Sequence, residues 1–274
     1  INLILFVKIS ANYKQTIIAK RLIIFLMVKT RIVPNYPALL SIGSEKNLVI
    51  TDLHLGLEGN LLLNKVFVEK NVTVKKTIIE IEKLLEITKP DSLILLGDIK
   101  SGIKSITKTE WESIPMFFDK LKNQVNLILV PGNHDSNIEK LVPKEVNIAS
   151  PKGIIIDEIL FTHGHTLPTE NYGNVSKIVM GHLHPVFFQK ESIINGKRVW
   201  ISIKCSKDEI FPSQTGDVEL IIVPAFNKYF HTIKKKFYKK SISPIIEKIN
   251  TTKAKIITLD GTIIGDEKLL PNLI

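Results

Sequence analysis

Short apolar runs that end in glycine, aspartate, asparagine or histidine recur through the middle of the chain. They constrain its fold more than any other feature, because runs of leucine and β-branched residues are typical of buried strands. The five runs occupy residues 48–51, 93–96, 125–130, 158–162 and 177–180. Between the first three, residues 73–88 and 107–122 carry apolar side chains at helical spacing, which predicts two amphipathic helices. Strands that alternate with helices predict an α/β fold.

The second predicted helix has two candidate N-caps, Thr107 and Thr109, since either hydroxyl can accept a backbone N–H of the first turn. Its apolar stripe is predicted to begin at Trp111. Beyond Gly181 the helical spacing gives way to further predicted strands. These lie at 186–189, 198–204 and 218–223, followed by a hairpin over 256–264 around an Asp-Gly turn.

Composition and charge set broad limits on function. Hydrophobic residues make up 44% of the 274 residues and charged residues 23%, which is typical of a globular protein with a sizeable core. The single cysteine, Cys205, cannot form an internal disulfide, so we expect a reducing compartment, the cytoplasm. The formal net charge of +10 favours polyanionic partners such as nucleic acid or phosphorylated substrates.

Two basic segments leave alternatives open. We expect residues 1–26 to be an extension that precedes the true start at Met27, followed by a single domain over 27–274; the alternative is a basic and apolar anchor at a membrane surface. No apolar run there is long enough for a transmembrane segment. Residues 228–240 interleave lysines with aromatic residues, which suits either single-stranded nucleic acid or an ordinary exposed face.

Six of the seven histidines follow predicted strand ends or glycine-containing turns. In open α/β sheets the carboxyl ends of strands are where sites form, and we expect the clusters at five consecutive strand ends to meet there. Asp52 and His54, two residues apart, are expected to point to the same side and share an ion. The other clusters are Asp98, then Asn133 with His134 and Asp135, then His163 with His165, and finally His182 with His184.

The donor atoms indicate a metal centre. Carboxylates, imidazoles and one amide, without a thiolate, suit Mn²⁺, with Fe²⁺, Zn²⁺, Co²⁺ or Mg²⁺ as alternatives. The candidate ligands outnumber those that one ion needs. With a shared carboxylate they divide between two ions, an arrangement that phosphatases and nucleases use.

The motifs D-x-H, G-D, G-N-H-D, H-G-H and G-H-x-H, in this order between Leu48 and His184, resemble the calcineurin-like metallophosphoesterase superfamily. The strings DLHLGLE, GDIK, GHLHP and VPAFN are similar to its ICC-like branch, which includes ligase-associated DNA-damage-response endonucleases. The resemblance implies a four-layer αββα sandwich, in which two mixed sheets are flanked by helices. It also implies a helicase or ligase as partner.

The resemblance also implies roles for individual residues. Asp52, His54 and His184 would bind the first metal, Asp98 would bridge both, and the second would be bound by Asn133, His163 and His182. A hydroxide between the ions would attack phosphorus, and His134 would act on the leaving oxygen. His165 would either contact the substrate or form a hydrogen bond with one of the metal-ligating residues. One residue departs from the branch, because Ser101 stands where another histidine is often found.

We therefore expect a metal-dependent phosphoesterase, and more narrowly a phosphodiesterase or nuclease. A phosphomonoesterase or a cyclic-nucleotide phosphodiesterase is the alternative among enzymes. A non-catalytic scaffold for a DNA-repair or helicase partner is the alternative of another class. The intact ligand set with His134 argues against the scaffold, which has no need of a leaving-group acid.

Overall fold

The computed structural model describes residues 29–59, 71–170, 174–228, 243–251 and 253–273. The predicted extension 1–26 and the basic segment from residue 229 onward lie outside these ranges. Within them, no helix has the length and apolar character that crossing a membrane requires.

The first sheet has six strands in the spatial order β1 to β6. They are β1 (Lys29–Ile32), β2 (Leu39–Ile42), β3 (Lys46–Ile50), β4 (Ser92–Leu95), β5 (Asn126–Leu129) and β6 (Asn147–Ile148). The first three pair antiparallel, whereas β3 to β6 are parallel. Two helices connect the parallel strands, α1 (Val72–Thr88) and α2 (Lys108–Leu121).

The second sheet is also mixed. Its strands are β7 (Ile154–Ile156), β8 (Ile159–Thr162), β9 (Lys177–Met180), β10 (Val186–Phe187), β11 (Lys197–Ser206), β12 (Asp217–Ile222), β13 (Ala254–Thr258) and β14 (Ile263–Asp266). Their order is β14-β13-β11-β12-β9-β8-β7, with β10 paired to β11. The pairs β8–β9 and β9–β12 are parallel, and the remaining pairs are antiparallel.

The two sheets pack face to face, and each has an outer cover. Alternate strand residues such as Val49 and Ile94 meet Phe161 and Trp200 between the sheets, while their neighbours face α1 and α2. The outer face of the second sheet is covered by the short helix α3 (Pro244–Lys248), 3-10 turns and loops. The predicted αββα sandwich is confirmed, although its second helical layer is thin in the described residues.

The start of α2 confirms one sequence prediction and corrects another. Thr107 is the N-cap, and its side chain forms a reciprocal capping box with Glu110. Trp111 is 50% exposed, so its assignment to the apolar stripe is wrong. The core-facing position in the first turn belongs instead to Glu110, which is fully buried and shares the inner face with Phe117 and Leu121.

The parallel strands bring the candidate residues to one edge of the sandwich. The carboxyl ends of β3, β4 and β5 are neighbours in the first sheet, and those of β8 and β9 are neighbours in the second. The sequence predicted that these five strand ends would be consecutive. That prediction is wrong, because β6 and β7 lie between β5 and β8 in the chain. The candidate residues therefore come from two sheets, three ends from one and two from the other.

Candidate metal centre

The loop after β3 carries Asp52 and His54, both fully buried. The sequence predicted that extended alternation would turn them to one side, and that reason is wrong. Both have left-handed backbones, with φ of 58° and 42°. The loop after β4 holds this bend, since the Asp52 N–H donates to the Gly97 carbonyl at 3.1 Å and the His54 N–H to the Asp98 carbonyl at 2.9 Å.

Left-handed backbone is a shared property of most of the candidate ligands. A side chain makes this conformation costly, and it persists only where surrounding contacts enforce it, most often at functional sites. The residues concerned are Asp52, His54, Asp98, His182 and His184.

The first group of candidate ligands combines both sheets. One donor atom from each of its residues lies within 4.8 Å of the others. The group consists of Asp52, His54, Asp98 and His184. His184 Nε2 lies 3.0 Å from Asp52 Oδ1 and 3.4 Å from His54 Nε2, so two imidazoles and a carboxylate converge on one small volume.

The second group consists of Asp98, His163 and His182, with Asn133 beside it. His163 Nδ1 must donate to the Leu96 carbonyl, 2.7 Å away, because a carbonyl only accepts. Its other nitrogen, Nε2, lies 3.3 Å from Asp98 Oδ1 and 3.2 Å from Asn133 Oδ1. Asp98 thus belongs to both groups, as a carboxylate shared by two ions must.

Two glycines allow the close approaches that the site requires. Gly97 has φ of 76°, and a Cβ there would lie 2.7 Å from the His163 ring. A Cβ on Gly181 would collide with Thr51 and lie 2.8 Å from Asp52 Oδ2. Any larger residue at either position would push the two sheets' loops apart.

The carboxylates and imidazoles shift one another's pKa values. Burial alone would raise the pKa of Asp98, but His163, which hydrogen bonds to it, together with His54 and His134, holds that pKa well below its usual range. The pKa of Asp52 is also lowered: burial opposes the shift, and His184 and His163 outweigh it. Both carboxylates are therefore ionised at neutral pH, which gives the site the electrostatics of a cation centre.

The pKa values of the imidazoles shift in opposite directions, depending on the charges nearby. Burial opposes a charge on His163, but Asp98 and Asp52 outweigh it and raise its pKa to about 9. Burial, and then repulsion from His184, lowers the pKa of His54 to about 3. That lowered pKa keeps the His54 ring neutral at neutral pH, the form in which an imidazole binds a metal.

His134 lies at the edge of the first group. Its Nδ1 donates to the Ser101 carbonyl at 2.8 Å, so Nε2 is the nitrogen that can gain or lose a proton towards the site. Nε2 lies 3.7 Å from Asp98 Oδ2, and the ring packs edge-on against His54 with centroids 4.9 Å apart. Having serine in place of histidine at position 101 therefore does not affect this hydrogen bond, because His134 bonds to the backbone carbonyl of Ser101.

A model of the calcineurin-like phosphoesterase family matches residues 46–210, more than half of the chain. The chain belongs to this family. The match covers every strand end that carries a candidate ligand, from Asp52 to His184. Family membership makes the protein a metal-dependent hydrolase of phosphoric esters, and the family uses dinuclear divalent metal sites.

Two solved structures are similar to this chain. A nuclease, MPE, from Pseudomonas putida is 16% identical, with a TM-score of 0.50 over 86% of this chain and 100% of that chain. The phosphoesterase YfcE from E. coli is 15% identical, with a TM-score of 0.40 over 81% of this chain and 98% of that chain. At 16% identity, the likeness to the nuclease MPE concerns the fold alone. No curated protein sequence matches this chain.

The described residues fit the family's pair of metals. The donor set is oxygen and imidazole nitrogen, and it forms two groups that share one carboxylate. The floor of the site, with Asp52, His54 and His163, is buried, whereas Asn133 is exposed and His182 half-buried. A centre that is closed below and open on one side can admit a substrate, as catalytic metal sites do.

All nine candidate residues predicted from the sequence come together at this edge. His165 lies beside the second group but outside it, with its ring 5.3 Å from that of His163. Burial, and then repulsion from His163, lowers its pKa to about 4. The ligand and catalytic roles assigned to the individual residues remain predictions.

Sequence reasoning gave no role to Asp135, which joins two loops of the site. Its carboxylate accepts backbone N–H groups from Ile99 at 2.9 Å, Lys100 at 3.2 Å and Gly132 at 2.8 Å. Burial, and then the negative charge of Asp98, raises its pKa to about 6. Its place in the N-H-D cluster was the only signal in the sequence, and this did not reveal that its partners are backbone groups.

Lys100 is a second residue that sequence reasoning passed over. It is fully buried, and its ammonium donates to the Gly102 carbonyl. Glu110 accepts the Gly102 N–H at 2.6 Å, so a lysine and a glutamate together hold the loop that contains Ser101. No local pattern distinguishes this lysine from the exposed ones.

Proposed function

We propose that the protein is a dinuclear-metal-dependent phosphodiesterase that hydrolyses nucleic acid. The observation that carries the proposal is the shared carboxylate. Asp98 belongs to two candidate ligand groups, and the His134 ring lies beside both its carboxylate and the first group. This arrangement supports one metal bound by Asp52, His54, Asp98 and His184, and another by Asp98, Asn133, His163 and His182.

Two divalent cations, when bound, supply positive charge to the phosphate and acidify water in the site. The protein's own groups hold and orient the reactants. Asp135 fixes the loop after β5 to the loop after β4, and the His134 N–H donates to Asp98 Oδ1 at 2.9 Å. The His134 ring is thereby held in place, with Nε2 able to give a proton to a leaving oxygen.

A metal and substrate panel tests this function. With the purified chain and Mn²⁺, Mg²⁺ or Zn²⁺, we expect hydrolysis of bis-p-nitrophenyl phosphate and of DNA with Mn²⁺, and loss of both activities with a chelator. Single- and double-stranded DNA, p-nitrophenyl phosphate and cyclic nucleotides complete the panel. Hydrolysis of the monoester or the cyclic nucleotides alone would replace the proposal with one of its enzymatic alternatives. Two bound metals without any hydrolysis would support the scaffold.

Charge supports a polymeric substrate. The net charge of +10 favours polyanions, and the basic segment that follows Lys228 adds lysines interleaved with aromatics. The buried Lys100 cannot serve a phosphate, because its ammonium is engaged with Gly102. Basic residues outside the metal centre would therefore have to bind the polymer. The predicted helicase or ligase partner and the cytoplasmic location remain predictions.

Replacing the lysines of the basic segment by glutamine tests for a polymer. Lysines that neutralise phosphates release counterions, so affinity for DNA should fall and its dependence on salt should become shallower. Hydrolysis of the small diester should change little. The variant carries Lys234→Gln, Lys235→Gln, Lys236→Gln, Lys239→Gln and Lys240→Gln.

A matched control removes five exposed lysines elsewhere: Lys76, Lys83, Lys120, Lys140 and Lys152. If the control lost as much DNA affinity as the first variant, net charge rather than the basic segment would be responsible. If the DNA affinity of the first variant were unchanged, the basic segment would not bind DNA and would no longer support a nucleic-acid substrate.

A further inference from the structure

Residues 223–227, with the sequence VPAFN, follow β12, lie beside the Asp52–His54 loop and include none of the nine candidate residues. The segment contacts both sheets. The Val223 N–H donates to the Met180 carbonyl at 2.7 Å, at the end of β9, and the Phe226 N–H donates to the Thr51 carbonyl at 2.8 Å, at the end of β3. It therefore joins the two strand ends that lead into the first ligand group.

Asn227 holds the left-handed loop that carries Asp52 and His54. Its backbone N–H donates to the Asp52 carbonyl at 3.2 Å. Its side-chain amide donates to the Leu53 carbonyl at 2.9 Å and, in a longer contact of 3.5 Å, to the His54 carbonyl. Asn227 is only 6% exposed, so these bonds are protected from competing water. Asn227 thus donates hydrogen bonds to three successive backbone carbonyls of the left-handed loop, those of Asp52, Leu53 and His54.

Arg198 holds the segment from the other side. Its Nη1 donates to the Ala225 carbonyl at 2.7 Å and to the Phe226 carbonyl at 2.8 Å. Arg198 lies in β11 and pairs with Val186 of β10, two residues after His184. The contacts form a chain from the His184 side of the site, through Arg198 and the segment, to the loop with His54.

The first ligand group needs such a connection. His54 comes from the first sheet and His184 from the second, yet their Nε2 atoms lie 3.4 Å apart. A metal accepts its ligands within a few tenths of an ångström, and residues that orient ligands affect metal affinity strongly. The loop after β4 holds the Asp52 and His54 N–H groups of this bend, and Asn227 adds donors to its carbonyls at Asp52, Leu53 and His54.

We propose that Asn227, supported by Arg198, is a positioning residue that sets the geometry of the first metal site by fixing the Asp52–His54 loop. The inference rests on the proposed function, because it requires that the first ligand group binds an ion. It assigns a role to the VPAFN segment, which the chemistry of the site does not use.

Asn227→Ala tests the inference with the full chain and Mn²⁺. The substitution removes the side-chain donors and keeps the backbone N–H. Calorimetric titration of the metal-free protein should show two binding events in the wild type. In the variant we expect one event to weaken about 10- to 100-fold, as for other residues that orient ligands, and the other to stay unchanged. A tenfold change is about 1.4 kcal/mol.

His184→Ala identifies the affected event, since it removes a ligand of the first group only. The event that weakens in Asn227→Ala should be the one that His184→Ala abolishes. Asn126→Ala is the matched control: it removes the amide that donates to Ser92 at the opposite end of the first sheet, and both sites should bind as in the wild type.

A merely structural role would lower the unfolding temperature of the metal-free protein and weaken both sites alike, which would overturn the inference. So would two unchanged sites in a folded Asn227→Ala variant, while the proposed function would stand. If Asn227→Ala did not fold, Arg198→Lys would carry the test, with a smaller loss at the same site as the supporting result. A wild type that bound none of Mn²⁺, Fe²⁺, Zn²⁺, Co²⁺ and Mg²⁺ would end both proposals.

Discussion

Asp98→Asn is expected to abolish turnover and to weaken the binding of both metals. Asp98 is the one residue common to the two ligand groups, and its two oxygens face different imidazoles: Oδ1 lies 3.3 Å from His163 Nε2, and Oδ2 lies 3.9 Å from His54 Nε2. An asparagine keeps one oxygen but loses the negative charge that two neighbouring cations would share. Changes to residues that only orient ligands cost about 10- to 100-fold in metal affinity, so the loss of a bridging ligand should exceed that.

The fold should survive this substitution. The Asp98 Oδ1 atom accepts the His134 N–H, and an asparagine oxygen can accept the same bond. The measurements are metal content by elemental analysis, turnover of a chromogenic diester, and thermal unfolding. Asp91→Asn is the control, because Asp91 accepts the Lys46 N–H near the start of β3 and β4, at the far end of the sheet. If Asp98→Asn retained two metals and wild-type turnover, the shared-carboxylate assignment would be wrong.

The strands that carry the site were predictable because they are buried and parallel. A parallel strand covered on both faces is a continuous apolar run, and β3, β4, β5, β8 and β9 all follow this rule. β6 has only two residues, Asn147 and Ile148, both exposed, and so has no apolar run to detect. β7 is joined to β8 through Asp157 and Glu158, both left-handed, in a tight turn that the sequence does not signal with glycine or asparagine.

The residue types of the site were also predictable, whereas its geometry was not. Carboxylates and imidazoles at strand ends indicate a metal centre from chemistry alone. The left-handed backbones at Asp52 and His54 depend on contacts with the next strand's loop, and the bond from Asn227 to Leu53 spans 174 residues of sequence. Such contacts have no local pattern, because the former arise only when β3 and β4 pair and the latter only when the two sheets pack together.

His134→Ala is expected to lower turnover about 10²- to 10⁴-fold, the range for loss of a general acid. The effect should depend on the leaving group. An alkoxide needs a proton as the bond to phosphorus breaks, whereas p-nitrophenolate leaves readily without one. The defect should therefore be large on alkyl esters and DNA and small on nitrophenyl esters. Ground-state binding should be nearly unchanged, since the interaction forms only in the transition state.

Two further variants separate proton transfer from loop structure. His134→Asn carries its amide nitrogen on Cγ, as Nδ1 is carried, so it can still donate to the Ser101 carbonyl but cannot act as an acid, and it should be as slow as His134→Ala on alkyl esters. Ser136→Ala removes a hydroxyl that donates to the Ile103 carbonyl, at 2.7 Å, from the same loop, and it should leave the leaving-group dependence unchanged.

Metal content distinguishes an acid from a ligand at position 134. The His134 N–H to Asp98 is a backbone bond and remains in the alanine variant, and the ring lies outside both ligand groups. His134→Ala should therefore bind two metals like the wild type while turning over slowly. Loss of one metal equivalent would move His134 into the coordination shell. An equal slowing on alkyl and nitrophenyl leaving groups would show that its ring supports the site's structure and transfers no proton.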